Sequence, residues 1–316
     1  MKLKTFILVF SMLISFGSIA QTPEGLNAKG DESSEDVMTI EELVKAAEQG
    51  DADAILSLWA LNTAIHGGDS PEAMKWLIKA AEQGDADAQF NLGLSYVSGD
   101  GATQNYTEAV KWFAKAADQE HAEAQYVLGM CYGAGQGVTQ DYTEAMKWCL
   151  KAADQGHVYA QYNLGKCYGD GIGVAKNYTE AAKWLRKAAD QGLSEAQYAL
   201  GSCYYFGEGV TQSFTGAVKW WTKAAEQGDA DAQLALGRSY YEGEGVTKNY
   251  TKAAKWYNNA ANQDNAEAQY RLGLCYLKGY GVTKNYSIAV RWLNNAAEQE
   301  HEEAIEKLIE LGELVD

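Results

Sequence analysis

The chain has 316 residues and a formal charge of −17 at pH 7, from 43 acidic against 26 basic side chains. So acidic a chain repels phosphate backbones and anionic lipid, which excludes nucleic acid as a partner class. Hydrophobic residues make up 47%, enough for a sizeable core, and only Pro23 and Pro71 interrupt the scope for helix.

Residues 1–20, MKLKTFILVFSMLISFGSIA, have the pattern of a secretory signal peptide. Lys2 and Lys4 precede an apolar run, and small Ser18 and Ala20 precede Gln21. The run is shorter than the ~20 residues of a spanning helix. The expectation is cleavage after Ala20 and an exported protein, periplasmic or secreted, with no stable membrane insertion after cleavage. Residues 21–38 are polar and acidic with little to bury, and read as a flexible acidic leader.

From residue 39 onward one period governs the sequence. Trp76, Trp112, Trp148, Trp184, Trp220, Trp256 and Trp292 stand 36 residues apart, and Leu-Gly pairs from Leu92-Gly93 to Leu272-Gly273 keep the same step. Seven units begin near positions 51, 85, 121, 157, 193, 229 and 265; the first is two residues short and has Trp59 where the others have glycine. Such a period marks stacked supersecondary units.

TIEELVKAAEQ opens the array as an N-terminal cap helix, 39–50. Within a unit the first helix carries an apolar face, as in Ala124, Leu128 and Cys131; the second does so through Ala145, Trp148 and Ala152. Between them a G-x-G-V turn supplies left-handed residues, and Gln-Gly ends the second helix in the same way. Each second helix starts on a side chain able to accept from exposed backbone N–H groups: Asp69, Asn105, Asp141, Asn177, Ser213, Asn249 and Asn285. Glu72, Glu108, Glu144 and Glu180, three residues on, complete capping boxes. Asn105, Asn177, Asn249 and Asn285 also head Asn-x-Thr/Ser acceptor sequences. HEEAIEKLIELGEL closes the array as a C-terminal cap helix, 301–315, with Ile305, Leu308 and Leu311 inward. The reading is an all-α, right-handed α/α superhelical solenoid of seven helix-turn-helix repeats (51–300) with helical caps, one domain over 39–316.

The pattern A-x-A-Q-Y-x-L-G-x-x-Y, G-x-G-V and A-x-K-W-x-x-K-A-A, with Gln-Gly at the unit end, resembles the SEL-1-like repeat, a relative of the tetratricopeptide repeat. The resemblance spans about 51–300 and implies an adaptor that holds a protein or peptide on a concave surface lined by the first helices. A cysteine-rich secreted subset of that family is associated with β-lactam binding or hydrolysis, the alternative function. Its ladder of disulfides joins two cysteines separated by seven residues across consecutive helices, and this chain has no C-x7-C.

Cys131, Cys167, Cys203 and Cys275 share one repeat position with Ser95 and Ser239, too far from unit to unit to bridge one another. Cys149 either reaches Cys131 or Cys167, or is a core residue where other units have Phe113, Leu185 or Trp221. His121, His157 and His301 share a helix-start position with Asp85, Asp229 and Asn265, so they read as helix-start residues; His66 is off the pattern. No catalytic residue, metal set or cofactor motif is assigned.

Positions that differ between units form one stripe on the first helices, at 87, 91, 94 and 98 and their equivalents. Its members that suit a bound protein or peptide segment are Tyr159, Asn163, Lys166, Phe206, Arg238 and Arg271, with Tyr205 and Tyr241 beside it replacing Gly133 and Gly169. Drift at unconstrained surface positions would produce the same variation, and a tyrosine-rich groove also suits sugar or cell-wall binding. The acidic members Asp87, Glu123, Glu195, Asp231 and Glu267 sit where they favour the helix dipole. The expected function is an exported non-catalytic adaptor, its protein or peptide ligand unidentified.

Overall fold

The structure, a computed structural model, describes residues 39–66 and 70–313. The signal-peptide and leader assignments over 1–38 lie outside them. The described residues form sixteen helices and no strand, an all-α repeat solenoid. By contact the chain divides into two compact units, after Ala160. The first contains α1 (Ile40–Glu48), α2 (Ala52–His66), α3 (Pro71–Glu82), α4 (Ala86–Ser98), α5 (Tyr106–Asp118), α6 (Ala122–Ala134) and α7 (Tyr142–Asp154). Helix α8 (Val158–Asp170) begins before the division, and the second unit continues with α9 (Tyr178–Asp190), α10 (Ser194–Phe206), α11 (Phe214–Glu226) and α12 (Ala230–Glu242). It ends with α13 (Tyr250–Ala261), α14 (Ala266–Lys278), α15 (Tyr286–Ala297) and α16 (Glu302–Glu310).

Six of the hairpins are pinned at their turns. The backbone N–H of the second helix's N-cap donates to a tyrosine carbonyl near the end of the first, as in Asn105 to Tyr96 at 2.8 Å and Asn249 to Tyr240 at 2.8 Å. Asn105 Oδ1 in turn accepts from the Thr107 and Glu108 N–H groups at 3.1 and 3.2 Å. That arrangement corrects the capping-box expectation. The N-cap N–H is already taken, so Glu108, Glu144 and Glu180 reach forward to Lys111, Lys147 and Lys183 instead. A true capping box forms between Thr39 and Glu42 of the cap helix α1, which no hairpin precedes among the described residues. The cap of α3 is also corrected. It is Ser70 rather than Asp69, because Pro71 sits at the first helical position and the residue before it takes the extended cap conformation.

The Leu-Gly pairs let the two helices of a hairpin touch. A Cβ on Gly93 would strike the Phe113 ring, and Gly129, Gly165, Gly201, Gly237 and Gly273 face Cys149, Leu185, Trp221, Tyr257 and Leu293 in the same way. Cys149 is therefore the core filler of its repeat, and no disulfide joins the cysteines. Burial pushes the Cys131 thiol up to about 12 and those of Cys167, Cys203 and Cys275 to about 11.

Contact between repeats has three sources. Tryptophans lean back onto the preceding core: Trp112 on the cluster around Leu77 and Leu92, and Trp292 on that around Tyr257 and Leu272. Lys115, Lys151, Lys187 and Lys223 cover the outer faces of Trp112, Trp148, Trp184 and Trp220 at 3.5–4.1 Å. In five repeats a buried glutamine on the first helix donates to a carbonyl of the preceding second helix, as Gln125 does to Ala117 at 3.0 Å. Its oxygen accepts from the glutamine closing the same repeat, as in Gln155 to Gln125 and Gln227 to Gln197, both at 2.8 Å. Finally, in four repeats the second glycine of the turn lies on the backbone that opens the preceding repeat's second helix. A Cβ on Gly137, Gly209, Gly245 or Gly281 would overlap the carbonyl of Tyr106, Tyr178, Phe214 or Tyr250.

The glycines closing the second helices have φ near +100°, but three repeats place Glu120, Asp264 and Glu300 there, with φ of 64, 59 and 61°. Left-handed backbone costs a side-chain-bearing residue about 1 kcal/mol. Glu120→Gly is therefore expected to raise stability by about 1 kcal/mol, read by denaturant unfolding. Gly209→Ala meets both a positive φ and a neighbouring carbonyl, and is expected to lower it by about 2 kcal/mol or more.

Candidate functional site

The variable stripe divides into parts with different fates. Near the helix starts its acidic members hold the next repeat. His121 Nε2 lies 3.0 Å from Asp87, and His157 Nε2 lies 2.7 Å from Glu123. The other ring nitrogen of each accepts from the backbone N–H of Ala124 or Ala160. That fixes the neutral tautomer, with the proton on Nε2. The rings stack on Phe90 and Tyr126. His301 lies 2.9 Å from Glu267 and stacks on Tyr270, and Asn265 donates to Asp231 at 3.2 Å. The histidines are helix starters, as their position in the repeat indicates, and they also cross-link repeats.

In α6 the stripe positions Val127 and Met130 are buried, so the expectation of a continuous surface stripe is corrected there: apolar side chains at those positions have joined the core. Tyr159 is 40% exposed, in the first unit. Asn163 and Lys166 sit on α8, with Lys166 over the Tyr162 ring at 5.6 Å.

Four of the remaining candidates converge. Tyr205, Arg238, Tyr241 and Arg271 line one cavity of about 190 Å³ in the second unit, together with Glu242, Glu244, Tyr257 and Leu274. Tyr205 packs against Phe206, Phe214 and Trp221 at 5.0, 5.2 and 5.4 Å, and its hydroxyl donates to Glu244 at 2.9 Å. Glu244 lies between the two turn glycines of the following repeat, and its carboxylate, by holding that proton, raises the Tyr205 phenol above its usual range. Tyr241 contacts Tyr250 and Tyr280 at 5.1 and 5.9 Å, and Tyr280 occupies the same turn position one repeat later. The residue between the turn glycines thus reaches back to the preceding first helix. Phe206 stands beside Tyr205 at 66% exposure.

The floor comes from a residue that sequence reasoning passed over. Tyr257 fills the core space against Gly237 and is 2% exposed. Burial raises its phenol well above the usual range, against the opposing fields of Arg271 and Arg238. Its hydroxyl makes no hydrogen bond with a described residue and is not sealed in, so it opens onto the cavity. The available signal was a repeat comparison: this is the single unit with a hydroxyl at the Phe113, Cys149, Leu185, Trp221 and Leu293 position.

The two arginines differ. Arg271 Nε donates to Glu267 at 2.6 Å and its guanidinium lies over Tyr270. Arg238 is exposed, and among the described residues it forms no ion pair or hydrogen bond. The cavity is smaller than the ~300–1,000 Å³ usual for small-molecule sites, a scale suited to one anchoring side chain. Among the described residues no acidic, histidine and cysteine cluster could hold a metal ion, and no helix is long and apolar enough to cross a membrane.

The Sel1 repeat model matches residues 67–85, 86–121, 122–157, 158–193, 194–229, 230–265 and 266–301. Among solved structures, a protective antigen present in uropathogenic Escherichia coli strains, displaying an SLR fold, is 37% identical over 84% of this chain, with a TM-score of 0.80. The match spans 58% of that antigen's length. A Sel1 repeat protein from Oxalobacter formigenes is 34% identical over 78% of this chain and 96% of its own, with a TM-score of 0.66. A comparison with curated proteins returned no match.

Glu267 joins the cavity's Arg271 to the next repeat. Burial pushes its carboxyl up, but the hydrogen bonds from Arg271 and His301 outweigh that and hold it below the usual carboxylate range. A depressed carboxyl contributes stability above its unfolded value and loses it as pH falls through the folded one. Glu267→Gln is therefore expected to lower stability at neutral pH. The gap from wild type should close as pH falls below about 4.5, followed by urea unfolding across pH.

Proposed function

This chain belongs to the Sel1 repeat family, and on that premise we propose that it is an exported, non-catalytic adaptor. It holds a protein or peptide segment on the first-helix surface of its second unit. The observation that carries this reading is the convergence of Tyr205, Arg238, Tyr241 and Arg271, all at positions where the repeats differ, around one cavity. Aromatic and arginine side chains in a desolvated pocket are the residues that dominate binding at protein interfaces. Phe206, projecting at the same helix end, extends the surface.

Two further observations support the adaptor over an enzyme. The histidines of the repeat pattern are engaged in capping and cross-linking. The phenols of the cavity are shifted up, away from reactivity near neutral pH. The basic and apolar opening of the sequence supports export, in keeping with an E. coli relative that is a protective antigen.

Affinity capture from the native envelope or secretome tests the proposal. Phe206→Ala and Arg238→Ala are each expected to reduce recovery of the bound partner about tenfold or more, as hot-spot truncations do. Unchanged capture would overturn the surface assignment, and turnover of nitrocefin by the purified protein would overturn the non-catalytic one. Mass spectrometry of the exported protein should give a chain starting at Gln21.

A further inference from the structure

We propose that the cavity floored by Tyr257 is a carboxylate subsite, taking an Asp or Glu side chain or a C-terminal carboxylate of the bound segment between Arg238 and the Tyr257 hydroxyl. This inference rests on the adaptor reading and names the chemistry that surface selects.

The first support is the state of Tyr257. At the equivalent position Trp221 also carries a polar hydrogen, and there the indole N–H donates to the Tyr198 carbonyl at 3.2 Å. Tyr257 has no such partner, although its ring is as deeply buried. The hydroxyl itself is not sealed in: it faces the cavity, where an acceptor of the bound segment can take the place of solvent. An acceptor standing in the cavity would satisfy it.

The second support is Arg238. Its position holds Leu94, Met130, Lys166, Ser202 and Leu274 in other repeats, so the fold does not call for a guanidinium there. The fork of five donors matches a carboxylate, and here it is unengaged. Arg271 is paired with Glu267, which offsets its charge, so Arg238 supplies the free cation of the subsite.

The two glutamates at the cavity set its selectivity. Glu244 is turned to the Tyr205 hydroxyl, and Glu242 is exposed at the end of α12, where solvent screens it. Their charges oppose a doubly charged ligand more than a singly charged one, so the subsite favours a carboxylate over a phosphate dianion. A basic side chain, by contrast, would leave the Tyr257 hydroxyl without an acceptor and place its charge beside the unpaired Arg238.

The test uses full-length protein labelled with 15N-arginine, the Arg238 Nε–H signal being assigned by its loss in Arg238→Gln. Three probes are titrated: N-acetylglutamate α-amide, with only a side-chain carboxylate; N-acetylglutamine, with only a terminal one; and neutral N-acetylglutamine α-amide. A saturable shift with either acid and none with the neutral amide is the expected result, and the tighter acid identifies the source of the carboxylate. Tyr257→Phe keeps the ring that fills the core, so its unfolding midpoint should match wild type. It should weaken the acid about tenfold, the effect of one hydrogen bond to a charged group. Equal shifts from the neutral amide, no shift from any probe, or unchanged affinity in a folded Tyr257→Phe would each overturn the subsite. Capture of a partner that depends on Phe206 while these acids have no effect would refute the subsite and leave the adaptor standing. A response to acid with capture unchanged by Phe206→Ala and Arg238→Ala would refute the adaptor surface alone.

Discussion

A buried amide holds neighbouring repeats in register. In five repeats the glutamine near the start of the first helix donates to a carbonyl left over at the end of the preceding second helix, and receives from the glutamine that closes its own repeat. Both ends of the side chain are satisfied at a place where water is excluded. A shift of one hairpin against the next would strand an amide and a helix-terminal carbonyl together, at about 1–3 kcal/mol each. Apolar contact alone, even with the tryptophans, would tolerate sliding; the amide does not. The same motif recurs in both units, and in both it coincides with the close approach of a turn glycine to the preceding helix.

With register fixed in this way, the side chains that differ between repeats are displayed at reproducible positions. Sites built on rigid elements hold their geometry better than sites on free loops. Tyr205, Arg238 and Arg271 sit on three successive first helices, while Glu244 comes from a turn. The turn is rigid too, because its flanking glycines are locked by their own φ and by the neighbouring backbone. The cavity therefore needs little ordering on binding, which limits the entropy that association must overcome.

Much of this was legible because one chain carries seven versions of the same unit. Recurrence identified the helix pair, the N-caps and the turn glycines, and variation singled out four of the cavity's residues. The failures have specific physical causes. Capping boxes were expected at Glu108, Glu144 and Glu180, but the hairpin had already used the N-cap N–H, a bond spanning residues nine apart. The glutamines recurred as faithfully as the tryptophans, yet their bonding is to residues eight and thirty positions away and no local rule reports it. Val127 and Met130 vary between units as surface positions do, but are buried. Tyr257 was hidden by the opposite error: a core position was read for its ring and not for its hydroxyl.

The residue between the turn glycines belongs to one repeat and touches the helix of the one before it: Glu244 on Tyr205, Tyr280 on Tyr241. A recognition surface is therefore a property of a junction, owned by neither module. Copying, deleting or reordering a single hairpin within the gene would leave the scaffold intact but create at least one unfamiliar seam. New specificities could then arise from shuffling existing parts, before any codon in them has changed.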